Sequence, residues 1–133
     1  MDRKRLRGAC LCGLVTYEVA DAFEYALICH CSQCRRATGA SSKPFAGIPM
    51  AELTIHNRSA IKPYGDEHGF DARCERCGSL LFSSVRGGAY AHVTLGTLVD
   101  DPSIRPTAHI FADSKALWET IGDNLPQFAE LPD

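Results

Sequence analysis

The sequence contains no apolar run near the roughly 20 residues that a membrane-spanning helix needs. Its basic start, Arg3, Lys4, Arg5 and Arg7 against Asp2 alone, passes straight into Gly8-Ala9-Cys10, with no apolar stretch of the kind a secretory signal carries. It has no internal repeat, no low-complexity segment and no sign of a second domain. It has little net charge, −2 over 133 residues, so the totals give no drive toward nucleic acid or an anionic membrane. These absences lead to the expectation of one cytoplasmic domain with neither a membrane nor a nucleic-acid partner. With 45% hydrophobic and 23% charged residues, the chain can bury one core and is too short for two.

Charge is uneven at the ends. The basic residues 1–6 are expected as a solvated tail, residues 7–128 as the folded domain, and 129–133 as a second tail in an acidic stretch that carries Asp113, Glu119, Asp123, Glu130 and Asp133.

What the chain does have is cysteine. Seven occur, in three groups: Cys10-x-Cys12, Cys29-x-Cys31-x-x-Cys34 and Cys74-x-x-Cys77. A reducing compartment keeps thiols free, and an odd count suits a disulfide framework poorly. Cys10 with Cys12, or Cys29 with Cys31, would be strained as a bridge. Metal binding is the better reading. Gly78 follows the last pair and Gly13 the first, which relieves crowding where two thiolates turn toward one ion. Two pairs supply four thiolates, a closed tetrahedral site; the trio supplies three, the pattern of an open, reactive site. The count 7 = 4 + 3 is compatible with one structural and one reactive ion. Two structural ions remain an alternative, with the trio borrowing His30 or a thiolate from a pair. In an extended segment, however, the His30 side chain points away from Cys29 and Cys31.

The periodicity is mostly that of β-structure. Strands are expected at 14–19, 43–48, 53–56, 61–64 and 107–111, with a hairpin of 80–85 and 89–95 across Gly87-Gly88. Ala26-Leu27-Ile28 leads into the trio. Ser32 is expected to cap a short helix running to Ala37 and closed by Gly39, and a helical turn is expected over 114–120. The fold class is therefore mainly β: a small folded-over antiparallel sheet with one or two short helices. Phe111 and Trp118 are expected in the core.

The stretches "GACLCGLVTYEV", "CHCSQCRRATGA", "CERCGSLLF" and "HIFADSKALW…DNLPQF" occur in this order from about Arg7 to about Phe128. Together they resemble the glutathione-dependent formaldehyde-activating enzymes, a family that also includes centromere protein V. The resemblance implies a small β-rich zinc fold with two Zn2+ per chain. Cys10, Cys12, Cys74 and Cys77 would hold the structural ion. Cys29, Cys31 and Cys34 would hold the second ion, near substrate, its occupancy full or partial. It implies a carbon–sulfur lyase or synthase that joins formaldehyde to a small thiol such as glutathione, giving S-(hydroxymethyl)glutathione. For such a thiol, Arg35, Arg36 and Lys43 are candidate carboxylate anchors, and His92, His109 and Tyr17 are candidate proton donors. The rival readings are a non-catalytic zinc-stabilised binding module, a nucleic-acid-binding zinc domain that would need a basic face, and a redox sensor using Cys34.

Overall fold

The computed structural model describes residues 4–132. Ten strands form two sheets. β1 (Arg5–Ala9), β2 (Thr16–Ala20) and β5 (Leu53–His56) make a three-stranded antiparallel sheet in the order β1-β2-β5. β3 (Tyr25–Cys29), β4 (Lys43–Pro49), β6 (Ile61–Gly65), β7 (Phe70–Cys74), β8 (Leu80–Val85), β9 (Tyr90–Thr94) and β10 (His109–Ile110) make a larger sheet in the order β10-β3-β4-β9-β8-β7-β6. One helix, α1 (Ser32–Thr38), follows β3. The main core joins the two sheets through Leu6, Val15, Val19, Ile48, Leu81 and Val93, all buried. The mainly β architecture expected from the periodicity is present.

Several local expectations are revised. β1 and β7 were not anticipated, because Arg5-Leu6-Arg7 and Asp71-Ala72-Arg73 alternate charged residues with single apolar ones. Leu6 and Ala72 nonetheless face the core and are fully buried. Arg5 and Leu6 thus belong to a strand rather than to a solvated start; residues 1–3 lie outside the described residues. The helix cap is Cys31, whose Sγ accepts from Cys34 N at 3.2 Å, and not Ser32. Gly39 closes the helix in the left-handed region, as its position suggested.

No helix forms over 114–120. A single 3-10 turn, Ala112–Ser114, stands there instead. So short a segment is marginal without packing, and here Leu117 and Trp118 lie exposed, Trp118 at 72%. The tryptophan is therefore a surface residue. The last strand is shorter than expected because Phe111 takes φ 53° and stops it after Ile110. β10 also runs parallel to β3, whereas the other named strand pairs of the larger sheet are antiparallel. Beyond it the chain returns along this edge: Phe111 N donates to Glu130 O, and Ala112 N to Phe128 O, both at 2.9 Å.

Candidate metal centres and the adjoining cavity

The outer thiols come together from the turn after β1 and the turn after β7. Cys10, Cys12, Cys74 and Cys77 place their Sγ atoms within 4.8 Å of one another. Cys10 to Cys12 and Cys12 to Cys74 are each 3.7 Å. Four thiolates about 2.3 Å from one zinc ion would stand about 3.8 Å apart at the corners of a tetrahedron. The spacing is thus that of a metal donor set, and well beyond a sulfur–sulfur bond.

The surroundings agree with that reading. Val15 N donates to Cys10 Sγ at 3.3 Å, Arg76 N to Cys74 Sγ at 3.4 Å, and Arg76 Nε to Cys12 Sγ at 3.3 Å. A hydrogen bond with Ser79 pulls the Cys77 thiol down to about 5. These donors favour thiolate over thiol. A cluster of thiolates with one arginine beside it lacks positive charge, and a divalent cation fits the deficit. Gly13 and Gly78 adopt φ near +80°, the turn that lets both pairs face inward.

The trio sits at the junction of β3 and α1. Cys29 ends the strand, Cys31 caps the helix and Cys34 lies one turn on, with all three Sγ atoms within 4.8 Å. A hydrogen bond with Cys34 brings the Cys29 thiol down to about 6 and pushes that of Cys34 up, since the two sulfurs share a proton when no ion is bound. Among the described residues no fourth cysteine, histidine or carboxylate joins this group. His30 points elsewhere. Its Nε2 meets His109 Nδ1 at 2.8 Å, and His109 Nε2 meets Asp123 Oδ2 at 2.9 Å. If Asp123 accepts from His109 Nε2–H, His109 Nδ1 accepts in turn from His30 Nε2–H. His30 Nδ1 is then left as a buried lone pair with no partner.

A cavity of about 410 Å³ opens against Cys29 and Cys34. Strand register builds it. Cys29, Leu27 and Tyr25 alternate along β3 and pair with Lys43, Phe45 and Gly47 of β4; Gly47 in turn pairs with His92 of β9. Gly47 is required there: a Cβ would lie 2.2 Å from the Tyr25 ring. Without one, Tyr25 lies across β4 and its hydroxyl reaches His92 Nε2 at 2.7 Å. Burial, then Lys43 and Arg86 nearby, push His92 down to about 4, so its imidazole is neutral at pH 7. Ile110, Phe111 and Leu131 complete the apolar wall. Lys43 is 6% exposed; its ammonium donates to Ser83 Oγ at 2.7 Å, and Ser83 donates to Asp71 Oδ1 at 2.6 Å. A second cavity of about 240 Å³ shares Cys34, Lys43 and His92 with the first and adds Gln33, Asp71 and Ser83.

The candidate residues divide accordingly. Lys43 and His92 line the cavity beside the trio, whereas Arg35 and Arg36, on α1, line neither cavity. His109 spends both ring nitrogens on His30 and Asp123. Tyr17 belongs to the other sheet, bonded to Thr97 at 2.7 Å and pushed up to about 12 by burial. Phe111 lines the cavity and packs, half-buried, against the small apolar cluster of Cys29, Phe45 and Ile110 rather than entering the main core. Tyr25, Phe45 and Arg86 went unnoticed in the sequence. Counting back by twos from Cys29 would have found Tyr25, and counting forward from Lys43 would have found Phe45.

No helix among the described residues is long and apolar enough to cross a membrane. No curated protein matches the chain. Among solved structures it is similar to the crystal structure of a Rhodobacter sphaeroides protein determined as a structural genomics target. The identity is 24%, the TM-score 0.59, and the match covers 76% of this chain and 92% of that one. That likeness concerns the fold. Residues 5–114 match the family model described as glutathione-dependent formaldehyde-activating enzyme. With most of the chain inside that match, both thiol clusters included, the chain belongs to the glutathione-dependent formaldehyde-activating enzyme family.

Proposed function

We propose that the chain is a zinc-dependent carbon–sulfur lyase/synthase, making and breaking the bond between a small thiol and an aldehyde. S-(hydroxymethyl)glutathione is the adduct suggested by the family's description. In this reading Cys10, Cys12, Cys74 and Cys77 would hold a structural zinc, and Cys29, Cys31 and Cys34, two of which line the cavity, would hold a second zinc that activates a thiol. Seven free thiols suit a reducing compartment, the cytoplasm. The observation that carries the reading is the trio itself: three donors, no fourth among the described residues, and a cavity against two of them.

A free thiol has a pKa near about 8.5, and zinc with an open position lowers it, so the thiolate is available at neutral pH. The chain's own residues do the rest. The apolar wall of Leu27, Phe45 and Ile110 keeps water from the reacting carbon. The Lys43 ammonium, paired across the strands with Cys29, offsets the negative charge of the sulfurs. Tyr25 Oη accepts from Arg86 Nη2 at 3.3 Å and shares its proton with His92 Nε2, giving the cavity wall a mobile proton. In the forward direction a carbon–sulfur bond forms and the carbonyl π pair moves onto oxygen. The oxygen takes up one proton, equal to the one the thiol gave up. Nothing is oxidised or reduced, and the reverse is the lyase.

Cobalt in place of zinc makes the trio visible, because thiolate-to-metal bands change when a fourth sulfur binds. Glutathione at millimolar levels or below should alter those bands, and the adduct-forming rate should exceed the blank and fall to it in Cys31→Ser. If no thiol perturbs the spectrum and the rate equals the blank, a zinc-stabilised binding module replaces the enzyme.

A further inference from the structure

The cavity is far too large for the aldehyde that the family's description names. Formaldehyde occupies about the space of one or two waters, each roughly 30 Å³ in the liquid, and an apolar cavity of about 150 Å³ already holds a benzene ring. Here about 410 Å³ stands open beside the trio. Its walls are ring-sized and apolar: Phe45 and Phe111, with Leu27, Ile110 and Leu131.

The Tyr25–His92 pair, which would serve the carbonyl oxygen, lines this same cavity. A carbonyl carbon placed between that pair and the trio therefore carries its substituent into the apolar lobe. The smaller lobe is then the polar space open to the thiol's body. The smaller lobe shares Cys34, Lys43 and His92, and offers Gln33, Asp71 and Ser83 to ammonium, amide and carboxylate groups.

The lining also holds one cation free to take a ligand. Lys43 is held by Ser83, which hands on to Asp71, whereas Arg86 has no carboxylate partner among the described residues. Its guanidinium lies over the Tyr90 ring at 4.3 Å and reaches the Tyr25 hydroxyl at 3.3 Å. Three non-glycine residues of the described chain have positive φ: Asn57, Arg86 and Phe111. Arg86 and Phe111 both line this cavity. Left-handed backbone at such residues is costly and collects where a ligand is gripped.

We propose that the carbonyl partner in this site is an aldehyde with an apolar, ring-sized body and an anionic end that meets Arg86, with the thiol's polar body in the lobe of Gln33 and Asp71. The inference rests on the carbon–sulfur reading above and fixes the substrate class within it. The covalent balance is that already given, with the aldehyde hydrogen kept on carbon and its apolar substituent in place of the second hydrogen of formaldehyde.

Stable thioethers of glutathione test it without turnover. S-methyl-, S-benzyl- and S-(4-carboxybenzyl)glutathione carry a one-carbon, a ring-sized and an anionic ring-sized substituent, respectively. Calorimetric titration of the zinc-loaded full chain should show the benzyl compound binding about tenfold or more tighter than the methyl one, and the carboxybenzyl compound about tenfold tighter again. Arg86→Gln should abolish the second step and spare the first, and Arg86→Lys should restore part of it. The comparison among the three compounds stands on the unmodified chain should either variant misfold. Equal binding of methyl and benzyl compounds, or binding by none of the three, overturns the proposal. If that happens while small thiols still perturb the cobalt bands, the carbon–sulfur reading survives; if the bands are silent too, both fall.

Discussion

Replacing Cys74 and Cys77 together by serine should cost far more than replacing Cys31, and the difference can be worked out from chain connectivity. An ion on the outer thiols links positions 62 residues apart, Cys12 to Cys74, and ties the small sheet to β7 of the large one. Treated as a cross-link, such a closure removes about 4 kcal/mol of unfolded-state entropy. The trio closes a loop of only about five residues, and the same expression gives about 2 kcal/mol. Small domains have roughly 5–15 kcal/mol in all, so the outer loss is a large fraction of the total. For a chain of this size about 4 kcal/mol corresponds to a fall in Tm on the order of 15 °C. Far-UV circular dichroism during thermal and urea unfolding, with zinc content measured on each preparation, reads the difference. Cys74→Ser/Cys77→Ser should unfold early or be insoluble, and Cys31→Ser should lose about half as much or less. The reasoning is refuted if Cys31→Ser costs as much as the double variant, or if the double variant unfolds with the unmodified chain.

Two further outcomes follow from the same geometry. A mild chelator should release zinc in two phases, the fast one missing in Cys31→Ser, because the trio meets the cavity directly while the outer set must first unfold locally; single-phase release would indicate two equivalent sites. His92 titrates near 4 in the fold against about 6.5 when unfolded, so between these values the unfolded chain binds the extra proton. Its contribution to stability is therefore complete above about pH 6.5 and is lost as pH falls toward 4. The slope of stability against pH in that window should be shallower in His92→Gln, and identical slopes would show that His92 is not held neutral.

The metal clusters were legible in the sequence because their information is local. C-x-x-C-G at residues 74–78 is a turn with both thiols on one side, and Cys29 to Cys34 span little more than one turn of chain. The 80–85 strand and its partner were legible as two apolar-rich runs on either side of Gly87-Gly88. The cavity was not, because it is made by register between distant strands: Tyr25 meets His92 only through Gly47, and Ile110 reaches Cys29 only through a parallel pairing. Arg35 and Arg36 looked like anchors because they stand next to Cys34 in sequence. On α1 they line neither cavity, whereas Arg86, far away in sequence, stands in the wall. Tyr17 and His109 stand outside the cavity for a related reason: Tyr17 is in the other sheet, bonded to Thr97, and His109 turns to His30 and Asp123.

The return of the chain past β10 has a consequence for the order in which the molecule is made. All seven cysteines precede residue 78, while Phe128 and Leu131, which pack near the trio and in the cavity wall, are synthesised last of the wall residues. A growing chain therefore carries complete donor sets before it carries a complete cavity. The donor sets can therefore take up ions during synthesis, before Phe128 and Leu131 arrive to complete the wall beside the trio.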